Sequence, residues 1–438
     1  MINETIVLLT PLEDLSEHRL AKHFGSRLAV DIYLDNTYHQ PLEKIFSKVL
    51  VYDSGRRTTE IGVKGVNEEI IELVRKEHPK YVLWISGGYP FQESTFDRIR
   101  VEGSIVIGLF SDDEFKFDNY SKWWIPYLDY CITFDMEAVA KYRELGARVI
   151  QTMSCVGIPV ERDWSNITGK YEVSFVGNIG RPLRKQYISE LREKKIPVHV
   201  FGEGWVAGFI PLEEMLDVFV TSKINLNFTR VGYGNRLTIK GRATEVCLAG
   251  GFLLTEYVPG IENYFEIDKE IVCFENAEEM IDKISYYLSH DEERRAIAQA
   301  GWKRATSEYT PLHMLSRVFD EIEKDIAVRG KPSHPQELKM PRLVRQGFSA
   351  YYSSWVKAFS LENYQDLCRD AFRLSISYNR FDIWAWCYYL ASFLPYPIRI
   401  GTYNFGRLGF HVFRRLYIWA QRHLRFASRP YLRKIGKR

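Results

Sequence analysis

The stretch Arg236-Leu-Thr-Ile-Lys-Gly-Arg-Ala-Thr-Glu-Val-Cys-Leu-Ala-Gly-Gly-Phe-Leu-Leu-Thr255 holds the densest set of chemistry-bearing side chains in the sequence. A helix is expected over Arg242 to Ala249, with Lys240 just ahead of it and Glu245 inside it. A cation beside a helix N-terminus suits a diphosphate, and a carboxylate can accept hydrogen bonds from two ribose hydroxyls. A surface Lys–Glu pair is the plainer alternative, and the Gly250-Gly251 pair ahead of a buried strand makes it less comfortable.

Upstream, Phe175-Val-Gly-Asn-Ile-Gly-Arg181 follows a strand with glycines at Gly177 and Gly180, then Asn178 and Arg181 beside them, then Arg184 and Lys185 as a helix begins. Glycines let a backbone approach phosphate, and a helix N-terminus offers unpaired N–H groups. An ordinary strand-to-helix turn with solvated arginines stays open. The spacing is not GxGxxG, which speaks against a nicotinamide enzyme. Phe201-Gly202-Glu203-Gly204-Trp205 is a second such turn, either a ligand contact or a tight turn over a packed Trp205. In Ile224-Asn-Leu-Asn-Phe-Thr229, Asn225 and Asn227 share one strand face, which binding or the solvation of an edge strand explains equally well. For acid/base work Asp112 and Asp113 follow an apolar strand. Asp53 and the Gly87-Gly88 loop occupy similar places, and a helix N-cap is the alternative role for each carboxylate.

These residues need a scaffold that brings strand ends together. Apolar runs at Ile6–Thr10, Lys48–Asp53, Tyr81–Ser86, Ile105–Ser111 and Tyr130–Phe134 alternate with helical segments such as Asn67–Glu77 and Met136–Leu145. That alternation predicts a parallel sheet over residues 1–160. A turn-rich connection follows, and the alternation restarts at Glu172–Val176, Val198–Phe201, Ile224–Phe228 and Phe252–Thr255. Helices near 277–289, 291–307 and 311–327 close a second α/β domain over 165–328. Residues 331–341, with three prolines, read as a linker. Residues 342–438 read as a helical, basic C-terminal region, with segments near 343–359, 364–378 and 382–394.

In order, Phe-Val-Gly at 175–177, Phe-Gly-Glu-Gly-Trp, Ile-Asn-Leu-Asn, Lys240-x-Arg242-x-x-Glu245, Gly-Gly-Phe-Leu-Leu-Thr and Tyr-Tyr-Leu-Ser-His-Asp-Glu-Glu-Arg resemble the group 1, CgeB-like branch of the GT-B glycosyltransferases. The resemblance covers most of 170–327 and, more loosely, Gly108–Asp113, Asp129 and Tyr142–Gly146. It implies a GT-B fold of two Rossmann-like domains facing a cleft, with the acceptor on the first and a UDP- or GDP-linked sugar on the second. It implies that Glu245 binds the donor ribose and that Lys240, with Arg242 or Arg181, faces the diphosphate. Gly177, Asn178, Gly202, Asn227 and Thr255 then complete the donor site, and Asp112, Asp113 and Lys240 form the catalytic set. Leu237 stands where many retaining relatives carry a second glutamate, eight positions before Glu245. No Asp-x-Asp motif is evident, so the expectation is a metal-independent enzyme without a cofactor, whose leaving diphosphate is stabilised by side-chain cations. Retention is expected, with deprotonation by the leaving phosphate; inversion stays open and would need a general base from Asp112, Asp113 or Asp53.

The 438 residues are 46% hydrophobic and 26% charged, which excludes a disordered or fibrous chain. Six dispersed cysteines without CxxC favour a reducing cytosol, and the N-terminus lacks a signal-peptide pattern. No acidic residue follows Asp382, while 383–438 hold 11 of the 59 Lys and Arg. Within it, Arg407–Phe426 places its arginines on one helical face and its apolar residues on the other, the profile of an interfacial helix. A helix packed on the acidic body is the alternative. The expected partners are a nucleotide sugar, a glycan, lipid-linked or protein acceptor and an anionic membrane surface, with no nucleic acid. The expected location is the cytoplasm, at the inner membrane face. A non-catalytic GT-B-like protein docking through its basic tail is the rival reading.

Overall fold

A computed structural model describes residues 1–11, 34–86, 91–164, 169–181, 183–231, 236–332 and 342–394. The Gly87-Gly88 loop and the Arg407–Phe426 segment lie outside the described residues.

The first domain is built on β1 (Ile2–Thr10), β2 (Phe46–Asp53), β3 (Tyr81–Ile85), β4 (Ile105–Phe110), β5 (Tyr130–Thr133) and β6 (Val149–Gln151). They form one parallel sheet in the order β2-β1-β3-β4-β5-β6. Every residue of β3, β4 and β5 is buried, as continuous apolar runs require when helices cover both faces of a parallel sheet. The sequence pattern did not show β6, only three residues long. The expected Asn67–Glu77 helix starts earlier, at Ser54, with Asp53 as N-cap accepting from the Arg56 N–H, and it breaks at Gly62.

The second domain repeats the plan. β7 (Tyr171–Val176), β8 (Val198–Phe201), β9 (Ser222–Asn227), β12 (Leu253–Glu256) and β13 (Val272–Phe274) form a parallel sheet in the order β13-β12-β9-β7-β8. Between β9 and β12 a short antiparallel pair, β10 (Arg230–Val231) and β11 (Arg236–Leu237), stands apart from it. In both sheets the strand order reverses beside the first strand, which opens a crevice at the carboxyl ends of β1 and β3 and of β7 and β9. Two doubly wound domains followed by helices form a GT-B architecture.

Two features depart from the expected boundaries. The Pro311–Arg329 helix, expected to close the second domain, returns to the first. Phe319 packs edge-on against Phe46 and Tyr81, Glu323 accepts from Lys80 and Tyr81, and Asp325 accepts from Tyr130 and Arg148. The helices Arg342–Leu361, Gln365–Tyr378 and Ile383–Ala391 extend the first domain's core instead of standing alone. Phe348, Tyr352, Trp355 and Phe359 share one buried cluster with Trp84, Phe96 and Trp124, and the Tyr378 hydroxyl bonds Glu93. The two additions cover opposite faces of the first sheet: the Pro311–Arg329 helix packs on the face of Ile6, Leu8 and Tyr81, and the aromatic-rich C-terminal helices on the face of Val7, Val82 and Trp84, where their large rings find a partner surface.

Candidate donor site

Two glycine-rich turns meet at the carboxyl ends of β7 and β8. The Gly177 N–H donates to the Phe201 carbonyl at 2.8 Å, and Ile179 N–H to Glu203 O at 3.0 Å. Asn178 Nδ2 donates to Glu203 Oε2 at 2.6 Å, and the Trp205 indole to the Gly177 carbonyl at 2.8 Å. Gly202 has φ +120°, and a Cβ there would sit 2.7 Å from Gly177 O, so only glycine lets the turns close. Trp205 packs against Phe175. The Gly202 turn therefore braces the Gly177 loop from behind.

Arg184 is the first residue of the Arg184–Glu193 helix; the sequence marked it as a cation where the helix begins but not as a donor-site residue. Its Nη1 donates to Asn178 O at 2.6 Å and its guanidinium lies over the Phe175 ring, 5.3 Å from the centroid. Among the described residues no carboxylate lies in ion-pair contact with it, Glu256 opposing its shift only from a distance, and its buried Nε has no hydrogen-bond partner. Burial, then the positive charges of Arg181 and Arg242, push its pKa down to about 10. Arg181 reaches the first domain, lying over the Phe115 ring at 5.8 Å. Leu183, between them, is held at φ +62°, a left-handed conformation that a branched side chain adopts only under constraint. Nothing in the spacing separates a buried Arg184 from a solvated one. Only the fold does.

The helix after Lys240 runs Arg242–Leu248, one residue shorter than expected. Glu245 is buried and ion-paired with Arg242, whose guanidinium stacks on Phe219. The interdomain segment holds this helix in place. The Thr244 hydroxyl accepts from Val156 N–H and donates to Val156 O, and Val160 N–H donates to Leu248 O. Gly157, at φ +111°, approaches so closely that a Cβ would lie 2.9 Å from the Glu245 Cα.

Asn225 and Asn227 are on a central strand, which removes the edge-strand explanation. Both are buried. Asn225 accepts from Ser174 and donates to Phe219 O, and Asn227 donates to Thr255 Oγ1 at 3.0 Å. Thr255 is fully buried, and its hydroxyl holds the Asn227 amide. Glu256, the next residue, was missed. It accepts from Thr229 N–H and Oγ1 and from Arg230 Nε at 2.7 Å, fixing the turn after β9.

The first domain meets these elements with acids. Glu114 is buried and pairs with Lys240 Nζ at 2.9 Å, while its carbonyl accepts from Arg236. Arg236 also pairs with Asp135 at 2.7 Å and with Glu137 at 2.8 Å. Of the expected acid/base pair, Asp112 is half-exposed and paired with Lys116 at 2.6 Å. Asp113 points inward, accepting from Thr133 Oγ1 at 2.7 Å and the Tyr142 hydroxyl at 2.9 Å. Burial pushes its pKa up to about 6, against the lowering effect of these hydroxyls. Beside Arg236 the two domains enclose a cavity lined by Asp135, Gln151, Thr238, Pro259 and Tyr264.

Residues 181–320 match the family model described as glycosyl transferase-like. The matched segment carries Arg181, Arg184, Asn227, Lys240, Arg242, Glu245 and Thr255. No curated protein matches the sequence. Among solved structures the chain is similar to TarM of S. aureus, at 10% identity and TM-score 0.44 over 58% of each chain. It is also similar to a glycosyltransferase from Rickettsia africae, at 12% identity and TM-score 0.44, over 75% of this chain and 99% of that one. A third is Anabaena Alr3699/HepE in complex with UDP and glucose, at 10% and 0.44, over 74% and 100%. The chain thus spans 58% of TarM's length but nearly all of the other two.

Proposed function

We propose that this chain is a metal-independent, retaining GT-B glycosyltransferase that uses a nucleoside-diphosphate sugar, linked to UDP or GDP, and carries its donor on the second domain. The observation that carries the reading is Arg184, a half-buried guanidinium beside Arg181 and Arg242 whose buried Nε has no hydrogen-bond partner and which has no carboxylate in contact among the described residues, Glu256 acting on it only from a distance. A buried charge without a counter-ion is costly, and an arriving diphosphate removes that cost. The Gly177 loop gives the backbone close approach, and Glu245 takes the ribose hydroxyls once Arg242 turns to phosphate. Lys240 stabilises the charge that develops on the leaving diphosphate.

The acids facing this site are already engaged: Glu114 by Lys240, Asp135 by Arg236 and Asp113 by Thr133 and Tyr142. That arrangement favours retention. The bond between sugar C1 and the diphosphate oxygen breaks, and the acceptor oxygen bonds C1 on the same face. The acceptor's proton passes to an oxygen of the departing diphosphate, so no protein base is consumed. Asp112, half-exposed just after β4, orients the acceptor hydroxyl, and Asp113 supports its loop. The acceptor is a glycan, lipid-linked or protein hydroxyl presented by the first domain, at the cytoplasmic face of a membrane.

A panel of UDP- and GDP-sugars incubated with the full chain tests this. Release of nucleoside diphosphate from one donor, with an α-sugar product from an α-donor, is expected. A β-product would overturn retention alone. Absence of both binding and turnover across the panel would overturn the enzyme reading.

A further inference from the structure

The last described helix, Ile383–Ala391, turns an apolar face outward. Asp382 caps its N-terminus through the Trp384 and Ala385 N–H groups, and Ala385 and Ala391 are buried against the rest of the helical region. On the opposite side, Ile383, Trp386 and Leu390 recur at i, i+3 and i+7 and are 71%, 42% and 59% exposed. Phe381 before the helix and Phe393 after it continue the patch, at 78% and 66% exposed. Five large apolar side chains exposed within thirteen residues are the kind of surface that marks an interaction site. Nine residues are too few to cross a bilayer, and among the described residues no helix is long and apolar enough to do so.

We infer that this face seats in the interfacial layer of an anionic lipid bilayer. The choice of occupant rests on charge. Residues 383–438 hold no acidic residue against 11 Lys and Arg, all of them from Arg399 on and so beyond the described residues that form the apolar face. At the chain-wide frequency of 56 acidic residues in 438, a stretch of this length would hold about seven. A second copy of the chain would need apolar complementarity only and does not account for the exclusion of acids. The chain's own basic segment packed on its acidic body would account for it, and then the wild type would not bind vesicles. Anionic headgroups account for it together with the exposed apolar face, because each basic side chain near them adds attraction while the apolar residues enter the acyl boundary. The inference is independent of the donor site, which lies on the other domain.

The test is co-sedimentation of the full chain with vesicles of 70% phosphatidylcholine and 30% phosphatidylglycerol, and with pure phosphatidylcholine, at low salt. The variant Ile383→Glu, Leu390→Glu, Phe393→Glu changes only strongly exposed positions, and its melting temperature is measured alongside to show that it folds. Binding of the wild type to anionic vesicles, weaker on neutral ones, with at least a tenfold loss in the variant, is the expected result. Failure of the wild type to bind, or equal binding by the variant, would overturn the inference. So would a change from dimer to monomer in the variant with no change in vesicle binding, which would assign the face to a second copy.

Discussion

Two sets of cations face the cleft from the second domain, and they are treated differently. Arg236 and Lys240 reach across to the first domain, where Asp135, Glu137 and Glu114 neutralise them. Arg181 and Arg184, at the end of β7, meet an aromatic ring and a carbonyl instead. A bridged pair holds two domains together. Two arginines with no carboxylate in contact among the described residues are, on the proposed reading, the place kept for an anion.

The sharpest way to break this contrast is Arg184→Met. Charge-assisted hydrogen bonds contribute roughly 1.5–3 kcal/mol, so affinity for the nucleoside diphosphate should fall about 10- to 150-fold. The melting temperature of the unliganded variant should change little, because the lost bond to Asn178 O is offset by removing a half-buried charge with an unsatisfied Nε. A stability loss with unchanged affinity would make Arg184 a purely structural residue. Glu245→Gln should weaken donor binding by about tenfold or more, read by calorimetry, with little change in melting temperature. An unchanged dissociation constant would return Glu245 to a plain ion pair with Arg242.

Legibility followed the same line. The parallel sheets were readable because strands buried on both faces are written as continuous apolar runs, such as Ile105–Phe110. The motif around Lys240 and Glu245 was readable because residue types and order carry it. Pairings between distant segments were not. Glu114 with Lys240 joins residues 126 positions apart, and the burial of Arg184 depends on how a turn folds over Phe175. The return of Pro311–Arg329 to the first domain was hidden for the same reason, since an amphipathic helix does not name the sheet it covers.

Glu114→Gln sharpens the bridged side of the comparison. Removing the carboxylate that competes for Lys240 should tighten nucleoside diphosphate binding about two- to tenfold, within the few kcal/mol of a partly buried pair. Weaker binding would show instead that Glu114 positions Lys240 for the phosphate. Asp113 gives a pH test. Its folded pKa is raised to about 6, against an ordinary value of about 3.9. The folded state therefore holds its proton more tightly, and this contribution is fully present below about pH 4 and lost as pH rises to about 6. Relative to wild type, Asp113→Asn should be more favourable at pH 7 than at pH 4 by roughly 1–3 kcal/mol, read from denaturation at the two pH values. A pH-independent difference would contradict the assigned burial. The smallest expected effect is none: turnover should persist in excess EDTA, and its loss with recovery on adding magnesium or manganese would mean that the diphosphate site is misassigned.

The central claim is that the cluster without counter-ions binds the diphosphate, and calorimetric titration of the full chain and of Arg184→Met with UDP and GDP tests it most directly. Saturable binding of one nucleotide to the wild type, at micromolar to sub-millimolar concentration and at least tenfold weaker in the variant, is predicted. No binding of either nucleotide at millimolar concentration, or equal binding by wild type and variant, would contradict it.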